Sequence, residues 1–233
     1  MRRNGDGKPI ISMDIDGTLA DYHAWFLQFA TLYFGREFPS ADTINPGLKL
    51  WRFMGISREA YNDCKLAYRQ GGMKRSMPCL EGAGNLTAAL RKAGCEVWIC
   101  TTRPYLRLDN IDPDTQEWLR RNGIQYDALL YDPRGGDAKY REFKRQSVGR
   151  TVLGCAEDLP EQADAAIKTL GAPVWLRNRP YNRTAWEYMT TEDAWLPPEA
   201  RPRRTNEPSQ VQRWDTCMDL CELAYQALHN WRK

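Results

Sequence analysis

The chain has 233 residues, 42% of them hydrophobic and 27% charged. These are ordinary globular values, and they exclude a disordered or fibrous chain. The balance of 33 basic against 30 acidic residues, +3 overall, is too mild for a dedicated nucleic-acid binder, and no apolar run approaches the roughly 18 residues of a membrane span.

In chain order, an apolar run at Ile10–Met13 predicts a first strand, followed at once by D-I-D-G-T-L from Asp14. Residues 22–77 then carry apolar residues at helical spacing, as in Trp25, Phe26, Phe29, Leu32 and Tyr33. Ser57 stands as an N-cap for a further helix over Arg58–Tyr68. No strand is predicted in this stretch, which reads as a helical insert.

After the insert, strands are predicted at Glu96–Cys100, Ala128–Tyr131, Thr151–Gly154 and Pro173–Leu176. Helices are predicted near Gly82–Lys92, Asp114–Arg121, Ala138–Arg145 and Pro160–Thr169. This alternation argues for an α/β domain with a mostly parallel sheet and helices on both faces. The Pro- and Arg-rich Leu196–Pro208 reads as a linker, with Arg201–Arg204 as its basic patch. An amphipathic helix marked by Val211, Trp214, Met218, Cys221, Tyr225, Leu228 and Trp231 follows it.

The seven cysteines include no CxxC pair and the chain has two histidines, which argues against a zinc site. With no signal-peptide pattern in the first twenty residues, a reducing cytoplasm is the expected setting.

Four segments carry the chemistry. Asp14 and Asp16 fall at the carboxyl end of the first strand, where α/β sheets bind ligands. Two carboxylates so close repel unless a cation sits by them, and Mg²⁺ takes one or two carboxylates plus phosphate oxygens. The second strand ends in Thr101 and Thr102, hydroxyls suited to phosphate oxygens, followed by Arg103, suited to bidentate contact. Lys139 precedes Glu157 and Asp158 by 18 and 19 residues, one helix plus one strand, so all three can reach the same sheet edge. Taken singly, each segment also fits a structural role: a turn after a strand, a solvent arginine, a surface lysine, an acidic helix start.

Together the segments resemble the haloacid dehalogenase-like phosphatases, whose motifs are D-x-D-G-T, a strand-end Thr or Ser, a Lys and an acidic pair. Within that superfamily the likeness is greatest to the 5′(3′)-deoxyribonucleotidases. It is carried by D-I-D-G-T-L-A-D-Y, F-L-Q-F-A-T-L-Y-F, I-C-T-T-R-P and the R-P-Y-N of Arg179–Asn182, and it spans Pro9 to Asn182. Residues beyond Asn182 match no motif of that pattern.

The resemblance implies a Rossmann-like core over residues 1–21 and 78–190, a small helical cap over 22–77, and a linker with a terminal helix over 191–233. Asp14 would be the nucleophile and Asp16 the general acid and base. Thr101 and Lys139 would hold the phosphoryl oxygens. Mg²⁺ would bind Asp14, Asp16 through its backbone carbonyl, and Asp158. Glu157 stands where two aspartates are usual and would serve the metal indirectly or from a different angle. Tyr22 and Trp51 would contact the base, Thr102 and Arg103 the phosphate, and Lys74 would assist there.

The implied activity is dephosphorylation of (deoxy)ribonucleoside monophosphates, with a nucleotide as the small-molecule partner and a homo-oligomer compatible with the sequence. The T-T-R-P, Lys and Glu-Asp segments equally resemble polynucleotide 3′-phosphatases, for which Arg201–Arg204 would meet the strand. A non-catalytic nucleotide-binding relative is the third alternative, and the intact Asp14, Asp16, Lys139 and Asp158 argue against it.

Overall fold

The first strand, β1 (Ile10–Met13), has the sequence I-I-S-M and is buried along its whole length. A strand without polar alternation needs cover on both faces, which a parallel sheet between two helical layers supplies. The computed structural model describes residues 7–46, 48–104, 108–132, 134–182 and 210–233, and it sets β1 in the middle of such a sheet. The other strands are β2 (Glu96–Thr101), β3 (Ala128–Tyr131), β4 (Val152–Glu157), β5 (Val174–Arg177) and β6 (Val211–Trp214). Their order is β3-β2-β1-β4-β5-β6, and every neighbouring pair is parallel.

Helices α4 (Ala83–Lys92), α5 (Ile111–Arg121), α6 (Gly136–Gln146), α7 (Pro160–Leu170) and α8 (Cys217–Arg232) cover the two faces. Strand side chains alternate between two cores. Ile11, Met13, Val97 and Ile99 pack with α4, α5 and α8, whereas Ile10, Trp98 and Cys100 pack with α6 and α7. Gly154 in β4 is required by packing: a Cβ there would fall 2.6 Å from the indole of Trp175.

Between β1 and α4 the chain is helical, with α1 (Tyr22–Phe34), α2 (Leu50–Phe53), α3 (Arg58–Gln70) and a 3₁₀ turn at Met73–Ser76. Ser57 caps α3, its hydroxyl accepting from the Ala60 N–H at 3.1 Å.

The C-terminal region corrects the sequence reading. Val211 and Trp214 do not open a helix; they bound the edge strand β6, paired with β5 from Val174 to Arg177. Their spacing of three residues fits a helical turn, but V-Q-R-W pairs with β5, and the Trp214 indole donates to the Trp175 carbonyl at 3.0 Å. The helix starts only at Cys217, where Thr216 and Asp219 form a capping box. The linker Leu196–Pro208, with Arg201–Arg204, lies outside the described residues. Among those described, no helix is long and apolar enough to cross a membrane.

The register prepares the site. Met13 lies level with Ile99 on β2 and with Ala156 on β4, so Asp14 and Glu157 leave the sheet side by side. The Asp14 N–H donates to the Ala156 carbonyl at 3.0 Å. Strand order reverses at β1, where chain connections diverge and leave a crevice beyond the strand ends.

Candidate active site

Asp14 is 6% exposed at the end of β1. Lys139, on the first turn of α6, is fully buried and donates to Asp14 Oδ1 at 3.0 Å and to Glu157 Oε1 at 2.7 Å. Glu157 Oε1 also accepts from the Tyr140 hydroxyl, one residue along the same helix. Asp158 accepts from the Tyr181 hydroxyl, and Asn182 Nδ2 holds the Asp158 carbonyl at 2.6 Å. The R-P-Y-N segment therefore fixes Asp158 from beyond β5. Gly17, at φ +99°, lets the chain turn away after Asp16, and a Cβ there would lie 1.9 Å from Asp158 Oδ2.

Asp14, Glu157 and Asp158 present oxygens within 4.8 Å of one another. Glu157 Oε2 and Asp158 Oδ1 are buried without a hydrogen-bond partner among the described residues. Burial raises the affinity of all three carboxyls for protons. Lys139 opposes this at Asp14, Glu157 is pushed up to about 7, and Asp158 is raised further by the charge of Asp14. Burial disfavours the charge of Lys139 too, but Asp14 and Glu157 outweigh it and hold its proton firmly.

Three carboxylates thus face one ammonium. In their ionised form they carry two negative charges in excess, which with the two orphaned oxygens fits one hard divalent cation. The carboxylate of Asp16 is not in this group.

Asp16 points to a different set of cations. Arg103 Nη2 donates to its Oδ1 at 2.7 Å, and Lys74 Nζ, from the 3₁₀ turn of the insert, meets Oδ2. Burial works against the charge of Asp16, yet Arg103 and then Lys74 hold it well below the usual carboxylate range. Lys74 is pushed down to about 7 by its own burial, although Asp16 opposes the shift.

Above these groups lies a cavity of about 220 Å³, lined by the strand ends and by α1, α2 and α3. Thr102 and Arg103 line it, and Thr101 ends β2 fully buried beneath them. The Arg103 guanidinium is committed to Asp16 and to Thr115 Oγ1, at 2.9 Å, so its hydrogen bonds go to protein groups. Tyr22 lines the cavity with one ring face 4.3 Å from Lys74 Nζ and its neighbour Phe26 stacked at 5.8 Å. Trp51 is not brought to the cavity; Leu50 beside it is, and Trp51 meets the Arg52 guanidinium.

Sequence reasoning missed His23, Lys65 and Arg69, which also line the cavity. His23 packs on Tyr181 with ring centroids 4.5 Å apart, and burial, then Arg179, pushes it down to about 3, so it is neutral. Their positions on the cavity side of α1 and α3 were the available signal, and helical periodicity alone did not separate them from solvent-facing residues.

Neither the family models nor the curated proteins give a match to this sequence. Solved structures do match in fold. Protein tyrosine kinase A of Mycobacterium tuberculosis aligns with a TM-score of 0.60 at 17% identity, over 94% of this chain and 99% of that one. A predicted phosphatase from Clostridium acetobutylicum gives 0.59 at 13%, over 95% and 100%. A haloacid dehalogenase-superfamily hydrolase from Geobacter sulfurreducens gives 0.54 at 15%, over 96% and 100%. The fold is that of the haloacid dehalogenase-like proteins. At these identities the likeness is one of fold, and the chemistry rests on the residues of this chain.

Proposed function

We propose that this chain is a Mg²⁺-dependent phosphomonoesterase that dephosphorylates (deoxy)ribonucleoside monophosphates through a phosphorylated Asp14. The observation that carries the reading is the cluster at the sheet edge: Asp14 bonded to Lys139, with the orphaned oxygens of Glu157 and Asp158 beside it. Lys139 donates to the Asp14 carboxylate and supports its charge against the pull of burial, which suits it to attack at phosphorus.

In the first step an Asp14 oxygen bonds to phosphorus as the ester P–O bond breaks, and Asp16 gives a proton to the departing alkoxide. In the second step water bonds to phosphorus, the Asp14–phosphorus bond breaks, and Asp16 takes the proton from the water. Asp16 must first gain a proton, because Arg103 and Lys74 hold it ionised in the structure. Substrate binding between them would release it. Lys139 and the hydroxyl of Thr102 or Thr101 would bind the phosphoryl oxygens. Asp14, Asp158 and, through Oε2, Glu157 would hold Mg²⁺, which when bound neutralises charge on the transferring phosphoryl group.

Residues 22–77 would act as a cap that excludes water, with Tyr22 beside the base. The small cavity suits a nucleotide better than a strand. Seven free cysteines suit a reducing cytoplasm.

The test is phosphate release with Mg²⁺ from a panel of ribo- and deoxyribonucleoside monophosphates beside a 3′-phosphorylated oligonucleotide. Release from the mononucleotides is expected. Release from the oligonucleotide alone would overturn the substrate assignment in favour of end processing.

A further inference from the structure

Among the described residues, five cationic side chains line the cavity, and they fall into two groups. Lys139 is bonded to Asp14 and Glu157, and Lys74 and Arg103 to Asp16. Lys65 and Arg69 have no ion pair among the described residues. They stand four residues apart on α3, hence on one face of the helix, and that face is a wall of the cavity. Lys65 Nζ lies over the ring of Tyr61, 5.3 Å from its centroid. Arg69 Nε is buried with no hydrogen-bond acceptor among the described residues.

Both cations act across the cavity. Lys65 adds to the forces that keep His23 neutral, after burial and Arg179, and Arg69 adds to those that lower Lys74, after burial and Arg103. Cations held together repel, and a buried guanidinium N–H without an acceptor is costly. An anion between Lys65 and Arg69 would relieve both. In the proposed reaction the transferred phosphoryl group has its own partners at the sheet edge, in Lys139 and the metal ion that the carboxylates would hold.

We propose that Lys65 and Arg69 form a second anion subsite, so that the preferred substrate is a nucleotide carrying a second phosphate, such as a nucleoside 3′,5′-bisphosphate. This rests on the phosphatase reading of the same cavity and specifies its substrate. One phosphate sits at Asp14 as the reacting ester. The other is bound by the cap helix and is not hydrolysed in that pose. The phosphodiester of a short strand has the same chemistry, and the size of the cavity favours the free nucleotide.

The experiment is calorimetry with Mg²⁺ in an Asp14→Asn background, which separates binding from turnover. Adenosine 5′-monophosphate, adenosine 3′,5′-bisphosphate and a dinucleotide ending in a 3′-phosphate are titrated in turn. The same titrations follow with Lys65→Met and Arg69→Met added, substitutions that keep the stems and remove the charges, with melting curves to check folding. The bisphosphate is expected to bind about tenfold tighter than the monophosphate, and the added pair to abolish that difference while monophosphate affinity moves by less than about threefold.

Equal binding of the two mononucleotides, which needs no cap variant to observe, would overturn the subsite and leave the phosphatase reading standing. So would a preference that survives both methionines. Tighter binding of the dinucleotide than of the bisphosphate would overturn the assignment to a free nucleotide. Absence of binding by either mononucleotide would overturn the subsite and the nucleotide reading together.

Discussion

The ammonium of Lys139 and the carboxylate of Asp14 lie 125 residues apart in the chain and 3.0 Å apart in space. Two βα units separate them, and the register of β1 with β2 and of β2 with β3 brings the start of α6 to the edge where β1 ends. Lys139 also serves Glu157, so it is the counter-ion of two of the three acids in the cluster.

Removing that counter-ion should therefore be costly. Lys139→Met leaves Asp14 and Glu157 buried without a cation, and breaking a buried pair from one side typically costs about 3 kcal/mol. Chemical denaturation should show a loss of that order in metal-free protein, and phosphate release should fall by on the order of a hundredfold or more. Unchanged stability would show that the cluster is not held together by this ammonium.

At the acidic cluster the pH dependence of stability has a definite sign. Burial raises Glu157 from 4.5 to about 7, and Asp14 and Asp158 shift the same way. Between these limits the folded metal-free protein keeps a proton that the unfolded chain has released, so stability falls as pH rises from about 4.5 through about 7. Mg²⁺ reverses the penalty by binding the ionised form. Melting curves in EDTA should show a midpoint that falls between pH 5 and pH 8 by more than in Glu157→Gln, a comparison that cancels the opposite contributions of His23 below about 6.5 and of Lys74 above about 7. Adding Mg²⁺ at pH 8 should raise the midpoint, and Asp158→Asn should remove most of that increase.

Gly17 is required twice over. Its φ of +99° is unfavourable to any side chain, and a Cβ would run into the Asp158 carboxylate. Gly17→Ala should cost about 3 kcal/mol in denaturant unfolding and displace Asp158, with a weaker response to Mg²⁺ in the same melting assay. A fully stable alanine variant would mean that the turn after Asp16 has room that the structure does not show.

Much of this was legible in the sequence, for physical reasons. β1 and β3 were read with their limits because short apolar runs flanked by turn residues carry their own signal. β4, predicted at Thr151–Gly154 with the acidic pair beyond, runs from Val152 to Glu157, and the glycine inside it is a packing site against Trp175. β6 was lost because V-Q-R-W gains its identity only from β5.

At the site, Asp14, Lys139, Glu157 and Asp158 were placed by spacing, and the structure brings them together. Arg103 was expected to face phosphate and is instead bonded to Asp16, a contact between residues 87 apart that no local pattern encodes. Lys65 and Arg69 were invisible for the same reason. On a helix taken by itself they are two solvent cations, and only the cavity wall gives them a role.

The central claim is that Asp14 forms the bond to phosphorus. The direct measurement is acid quenching of a single turnover with ³²P-labelled nucleotide and Mg²⁺, followed by borohydride reduction and peptide sequencing. The account predicts label bound to protein before reduction, homoserine in place of aspartate at position 14 after it, and neither in Asp14→Asn. Full activity in Asp14→Asn, or label on another residue, would contradict it.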